Sequence, residues 1–482
     1  MALLDWTLLV LYMVLTIGLG LWVTRGNKDG HDYLLGGGKL GWFTVGISLI
    51  ATSMSASTFL GIPAQSYGGD CTYLMLQVGA FLSVIVVAKF YIPRYRAAGV
   101  SSAYTLLEQV YSRPVKIVAS VFYCFHVLLR SGLLIYGPAL VLSSALGISM
   151  EWTIVLTALL SMGYTAFGGL KAVVLTDTIQ FFVLVTGVIL SYVVLHQSEG
   201  LGVLWSIASE GGHTKVLPEE LNLASLFDPT QADSLLSAML VYAVLEIAIR
   251  GCDQQFVQRY LACTSTSSAV RSSWAAMLIG LPATLLFFGL GALLWAWYQL
   301  NPEALSNMGV NQAFPDFILN QLPMGLKGLL VAALLAASMS SFDSALNALN
   351  NTTLVDLLNR KPEDPKSLSL ARKISIGWGL LALAAALFAA QAGQSLLYQA
   401  LYFTSLFTGP LLAMVSLAFL APSWRPSSIL FGVFGGMLSL FLASPPGFLN
   451  WHDPWLSWPW NPVLSGCGAM LIAFLIQKLP SK

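Results

Sequence analysis

Apolar and polar stretches alternate on a scale of about twenty residues, not two or four. Apolar runs stand at roughly 5–24, 41–64, 72–93, 115–145, 150–168, 171–194, 236–260, 270–298, 325–357, 370–392, 395–420, 428–445 and 462–479. At about 1.5 Å per residue, runs of this length cross the roughly 30 Å hydrocarbon core of a bilayer as helices. Lipid offers backbone groups no partner, and a helix satisfies them within itself. The pattern predicts an all-α polytopic membrane protein with about thirteen transmembrane helices. The first run follows Asp5, has no basic residue before it and no small-residue cleavage site after it. It reads as an anchor that stays, not as a signal peptide.

Charge supplies the sidedness. Of 482 residues, 56% are apolar and 9% charged, against about a quarter charged in an ordinary soluble domain. With the N-terminus outside, the inner connections hold Arg25, Lys28 and Lys39, then Arg94, Arg96 and Arg113, then Lys171, then Arg259 and Arg271. The next holds Arg360, Lys361, Lys366, Arg372 and Lys373, followed by Arg425 and the tail with Lys478 and Lys482. The outer connection 195–235 carries Lys215 against Glu199, Glu210, Glu219, Glu220, Asp228 and Asp233, and 446–461 has no Lys or Arg. Cytoplasmic loops are the basic ones, so the C-terminus is expected in the cytoplasm. A net charge of +1 with dispersed basic residues points away from nucleic acid. The five cysteines and five histidines show no metal-binding spacing. No GxxxxGK[ST] occurs, and the connections leave no room for a nucleotide-binding domain. The expected partners are the lipid bilayer and a small solute, with no nucleotide-binding subunit, and any work is driven by gradients or by passive flow, not by ATP.

Several spans carry groups that lipid disfavours. Ser48 to Gly61, SLIATSMSASTFLG, puts Thr52, Ser53, Ser55, Ser57 and Thr58 at the middle of the second run. Such a stretch is either a small-residue packing face or a helix break that offers freed carbonyls and hydroxyls to an ion or solute. Arg130 lies mid-span in the fourth run, too deep to snorkel easily. It needs an anion, which a protein carboxylate or a substrate carboxylate could supply, the latter through two parallel hydrogen bonds. Glu246 and Arg250 are four apart on one helix face and read as an internal ion pair, with a role in gating as the alternative. Asp253 and Arg259 lie nearer the cytoplasmic end and read as interfacial. The ninth run gathers Ser338, Ser340, Ser341 and Ser344 with Asp343, oxygens suited to a small hard cation.

Three motifs carry a family resemblance. FGGLKAVVLTDTIQ, Phe167 to Gln180, matches a GG-x-x-AV-x-x-TD-x-x-Q run. GCDQQFVQRYLA, Gly251 to Ala262, matches DQ-x-x-x-QRY, and AASMSSFDSALN, Ala336 to Asn347, matches A-x-x-SS-x-x-S. Together and in this order they resemble the sodium/solute symporter family across nearly the whole chain. The resemblance implies a LeuT-type fold with two inverted five-helix repeats, 41–194 and 236–420. An extra N-terminal helix at 5–24 and two extra C-terminal helices at 428–479 would complete one transport domain. The site would sit where the broken first helices of the two repeats meet.

The resemblance also implies ligands. A main Na⁺ site would use the carbonyls of Ala51, Met54 and Ala337 with the hydroxyls of Ser340 and Ser341. The substrate positions look most like those of the bacterial sialic acid branch: Ser55, Thr58, Gln77 and Arg130, with Ser53 and Tyr73 lining the same pocket. A second Na⁺ in that branch would map to Asp177, Ser340, Asp343 and Ser344. Asp343 departs from the family pattern, where a hydroxyl is expected, and could hold a cation or carry a proton. The expected cargo is therefore one or two Na⁺ with a small organic anion, most of all sialic acid, imported across a bacterial inner membrane. Alternatives are another carboxylate (a monocarboxylate, pantothenate or proline), or a sensor or channel on the same fold. No nucleophile–base pair marks an enzyme.

Overall fold

The computed structural model describes residues 1–24, 28–217, 222, 226–231, 234–304, 309–390, 396–444 and 455–480, with side chains in 396–406 and at 24, 56, 57, 140, 145 and 146 left aside. Arg25, Glu219, Glu220, Asp233, Lys482 and much of loop 446–461 lie outside the described residues. The architecture is helical. The principal helices are α1 (Leu3–Thr24), α2 (Trp42–Ser53), α3 (Ala56–Gly68), α4 (Leu76–Val86), α5 (Arg113–Leu146), α6 (Met150–Ser198) and α7 (Tyr242–Cys252). They continue as α8 (Gln254–Ala262), α9 (Thr266–Leu300), α10 (Leu326–Asn351), α11 (Ser367–Ala389), α12 (Leu396–Leu420), α13 (Pro426–Ala443) and α14 (Asn461–Lys478).

Each apolar run of the sequence has a helix at its position. Among the described residues, nine helices are long and apolar enough to cross a membrane, or ten with the bent pair α2–α3. The thirteen runs map onto that number because two are joined in one bent helix, one is split at Asp253, and the side chains of 395–420 are described only from Phe407. The runs 150–168 and 171–194 merge into α6, whose interior turns at Gly169 (φ 68°, ψ −176°). A side chain at Gly169 would meet the Tyr33 carbonyl at 2.5 Å, so the bend requires glycine. The run 236–260 divides at Asp253 into α7 and α8, two short pieces.

Packing order follows the polar content of each helix. In α10, 94% of its most apolar stretch is buried, against 28% in α1 and in α11. Its Ala- and Ser-rich sequence lets neighbours approach closely, and it touches α6, α5, α1 and α2. Apolar side chains of α1, such as Val10, Val14, Leu15 and Trp22, are exposed on the outside of the bundle. The helices that carry hydroxyls thus meet in the centre, and the purely apolar surfaces face outward.

Candidate functional site

Two helix breaks face the central helix. The first lies at Met54 (φ −84°, ψ 76°), where α2 and α3 diverge by 56°. The Ser55 amide donates to the Ser53 carbonyl at 3.1 Å in place of Ala51. The Thr58 amide donates to Ser55 Oγ at 3.4 Å in place of Met54. The carbonyls of Ala51 and Met54 thereby lose their helical donors, as the composition of this stretch suggests. The second break lies at Asp253, whose carboxylate caps α8 by accepting from the Gln255 amide at 2.7 Å.

The first break is tied to α10. Ser341 Oγ donates to the Thr52 carbonyl at 3.3 Å, and Thr52 Oγ1 and Ser344 Oγ lie 3.1 Å apart. Ser340 donates to Asp177 Oδ1 at 2.5 Å. Ala51, Met54, Ala337, Ser340 and Ser341 are all buried. Freed carbonyls on one side and two hydroxyls on the other form an oxygen-only set, suited to a small hard cation.

On the other side of the break lies a cavity of about 190 Å³. Ser53, Ser55, Thr58, Tyr73, Gln77 and Arg130 all line it. Five helical elements deliver them, so no sequence-local motif could have brought them together. Among the described residues no carboxylate lies within ion-pair distance of the half-buried Arg130. Glu246 and Arg250 line the same cavity and pair at 2.6 Å, Arg250 Nε donating to Glu246 Oε2. The site therefore holds one closed ion pair and one guanidinium that has no such partner.

The four residues expected around a second cation divide. Asp177, Ser340 and Ser344 come together, but a guanidinium occupies their midst. Arg259 Nη2 reaches Asp177 Oδ2 at 3.1 Å and Ser344 Oγ at 2.5 Å, and its Nε donates to Ser48 Oγ at 2.8 Å. Ser48 in turn donates to Asp177. Arg259 is buried, not interfacial as its place near the end of a run suggests, and so is Asp253. Position along the chain could not reveal this, because α8 turns inward after the break; the signal available was the QRY motif itself. Asp343 faces elsewhere: its carboxylate accepts from Tyr164 and Thr165 of α6. At about 100° per residue, positions 340 and 344 share a helix face while 343 points roughly 60–100° away.

A family comparison decides the class of molecule. The pattern of the sodium:solute symporter family matches residues 33–438. The chain belongs to the sodium:solute symporter family. Among relatives, the sodium/sialic acid symporter NanT of Aliivibrio fischeri is 27% identical, covering 93% of this chain and 89% of its own. The sodium-dependent multivitamin transporter of Oryctolagus cuniculus is 29% identical, covering 91% of this chain and 70% of its own. A solved substrate-bound, outward-open Na⁺-coupled sialic acid symporter superposes with a TM-score of 0.88 at 24% identity, over 100% of this chain and 98% of that one. The fold of this symporter is thus the LeuT-type transporter fold, and its class is a membrane transporter, not an enzyme.

Proposed function

We propose that this symporter couples Na⁺ entry to the import of a sialic acid-type sugar acid by alternating access. The observation that carries the reading is the cavity beside the first helix break. Its hydroxyls and amide (Ser53, Ser55, Thr58, Gln77) suit a polyhydroxylated solute, and Arg130 suits its carboxylate. NanT and the solved sialic acid symporter support the same substrate class. Na⁺ among Ala51, Met54, Ala337, Ser340 and Ser341 joins the bent helix to the central one. It favours one state through its different affinity for the two. The repeats run over 41–194 and 236–420 in this reading, within a chain of about thirteen spans. The protein sits in the inner membrane of a bacterium with its N-terminus outside.

The test is uptake of radiolabelled N-acetylneuraminate into proteoliposomes with and without an inward Na⁺ gradient. Accumulation that requires the gradient is expected. Na⁺-driven accumulation of pantothenate or a monocarboxylate in its place would move the substrate to another acid. Equilibration without a gradient would mark a channel.

A further inference from the structure

We propose that the connection between α10 and α11, around Arg360, Lys366 and Lys373, binds the phosphate headgroup of an anionic phospholipid whose acyl chains lie along α11. The first observation is a cavity of about 290 Å³ at that connection. Arg360, Lys366 and Lys373 line it together with one carboxylate, Asp364, and the hydroxyl of Ser369. Three cations against one carboxylate leave a positive surplus. None of these residues lines the substrate cavity or belongs to the proposed Na⁺ set.

These cations are uncommitted. Among the described residues, the side chains of Arg360, Lys366 and Lys373 make no hydrogen bond or ion pair. Other basic residues of the inner connections are spent on the protein itself. Arg425 donates to the Ile476, Gln477 and Leu479 carbonyls, Arg96 donates to the Leu261 and Cys263 carbonyls, and Lys116 pairs with Glu108. The connection is also tied down at its base. Ser367 Oγ donates to the Lys361 carbonyl at 2.8 Å, and the Ser367 amide donates to the Asp364 carbonyl at 2.9 Å. Gly30 approaches so closely that a Cβ there would lie 2.4 Å from the Pro362 carbonyl. Unspent cations on a braced connection suit a phosphate, which takes several charge-assisted hydrogen bonds at once.

The second observation is the face of α11 that continues from the cavity. Ser369, Lys373, Gly377 and Leu380 follow one another at helical spacing and share one face. Ile376, Leu380 and Leu381 are exposed there, and a Cβ at Gly377 would meet nothing within 4 Å. α11 is long and apolar enough to cross a membrane, so this face stands at the depth of the acyl chains. A positive cavity at the helix end, continued by a bare apolar stripe on the same face, matches the head and the tail of one molecule. Basic pockets at the cytoplasmic ends of spans take anionic headgroups, and this end is cytoplasmic in the sidedness proposed above. A free phosphate or a soluble acidic partner would use the cavity and leave the stripe without a role.

The test is binding of radiolabelled phosphatidylglycerol to the delipidated, purified full chain in detergent, with phosphatidylcholine and inorganic phosphate as competitors. The parent should prefer phosphatidylglycerol to phosphatidylcholine, and inorganic phosphate should not displace it. Lys366→Ala and Lys373→Ala should each weaken binding about fivefold, the equivalent of about 1 kcal/mol for a basic residue beside an anionic headgroup. The double variant should lose more than either alone. Lys478→Ala removes a cation at the same end of the bundle but outside the cavity, and should leave binding unchanged. Thermal unfolding in detergent shows that each variant is folded. Equal binding of phosphatidylcholine, or full affinity in the double variant, overturns the proposal. Displacement by inorganic phosphate also overturns it, because the cavity would then be an anion site without a lipid. An equal loss in Lys478→Ala does the same, since the attraction would belong to the whole basic end. Failure of sialic acid uptake with phosphatidylglycerol still bound would bring down the substrate reading and leave this site standing.

Discussion

At the scale of residues, two arginines sit in contrasting surroundings. Arg130 faces the cavity with no carboxylate in ion-pair reach among the described residues. Truncating one partner of a desolvated charge pair costs about 2–5 kcal/mol, which is about 30-fold or more in affinity. Arg130→Ala should therefore abolish measurable sugar-acid binding while Na⁺ binding, measured alone by ²²Na⁺, persists. Arg130→Lys keeps the charge but loses the fork, and should bind more weakly than the parent. Normal binding of the acid by Arg130→Ala would make this residue structural. Arg259 is instead buried and paired with Asp177 at 3.1 Å. Breaking a buried ion pair from one side costs about 3–5 kcal/mol, while replacing both partners costs far less. Asp177→Asn should lower the thermal midpoint markedly, and Asp177→Asn with Arg259→Gln should recover part of the loss. An unchanged midpoint in Asp177→Asn would mean that the pair contributes little. The sequence separates these arginines poorly, because depth along an apolar run marks Arg130 and conceals Arg259.

At the scale of elements, function gathers where helices stop being regular. The break at Met54 is legible in the sequence because small and hydroxylated residues flank it over about two turns, from Ala51 to Thr58. The break at Asp253 is less so: a single capping carboxylate ends α7 and starts α8, and only the family resemblance implies it. The ninth run shows its serines plainly, but not which face each would occupy; that follows from the packing of α10 against α2 on one side and α6 on another. Ser341 is the cleanest probe of the joint, since its hydroxyl meets the Thr52 carbonyl at 3.3 Å and is free of Asp177. Ser341→Ala should raise the Na⁺ concentration for half-maximal uptake several-fold in a folded protein. Ser340→Ala should do the same and also loosen Asp177, to which Ser340 donates. Unaltered Na⁺ dependence in both variants would return the serines to helix packing.

At the scale of the whole molecule, the ends of the bundle can be checked against the charges of the loops. Residues expected outside meet one another: the Ser457 amide donates to the Pro229 carbonyl at 2.9 Å, and Trp460 Nε1 donates to Ser237 Oγ at 3.1 Å. Asp5, at the start of α1, accepts from the Gly325 amide at 2.7 Å at the start of α10. Residues expected inside also meet one another. Arg425 Nη2 donates to the Gln477 carbonyl at 2.7 Å, beside Lys478, and Lys116 Nζ reaches Asn359 Oδ1 at 3.1 Å, next to Arg360. Hydropathy and loop charge thus made the grouping of ends readable before any fold was known, because both are sums over many residues. The bends at Gly169 and Asp253 were not readable in the same way, since each depends on a single residue. Grouping alone leaves two mirror choices of sidedness; cytoplasmic loops as a rule retain Lys and Arg, and labelling tests the choice that this rule favours. A cysteine placed in loop 446–461 should react with a membrane-impermeant maleimide in intact cells, whereas one placed beside Lys366 should react only after the membrane is opened. A reporter fused after Lys482 should read cytoplasmic. The reverse labelling would invert the molecule in the membrane, and with it the direction in which a Na⁺ gradient could drive the solute.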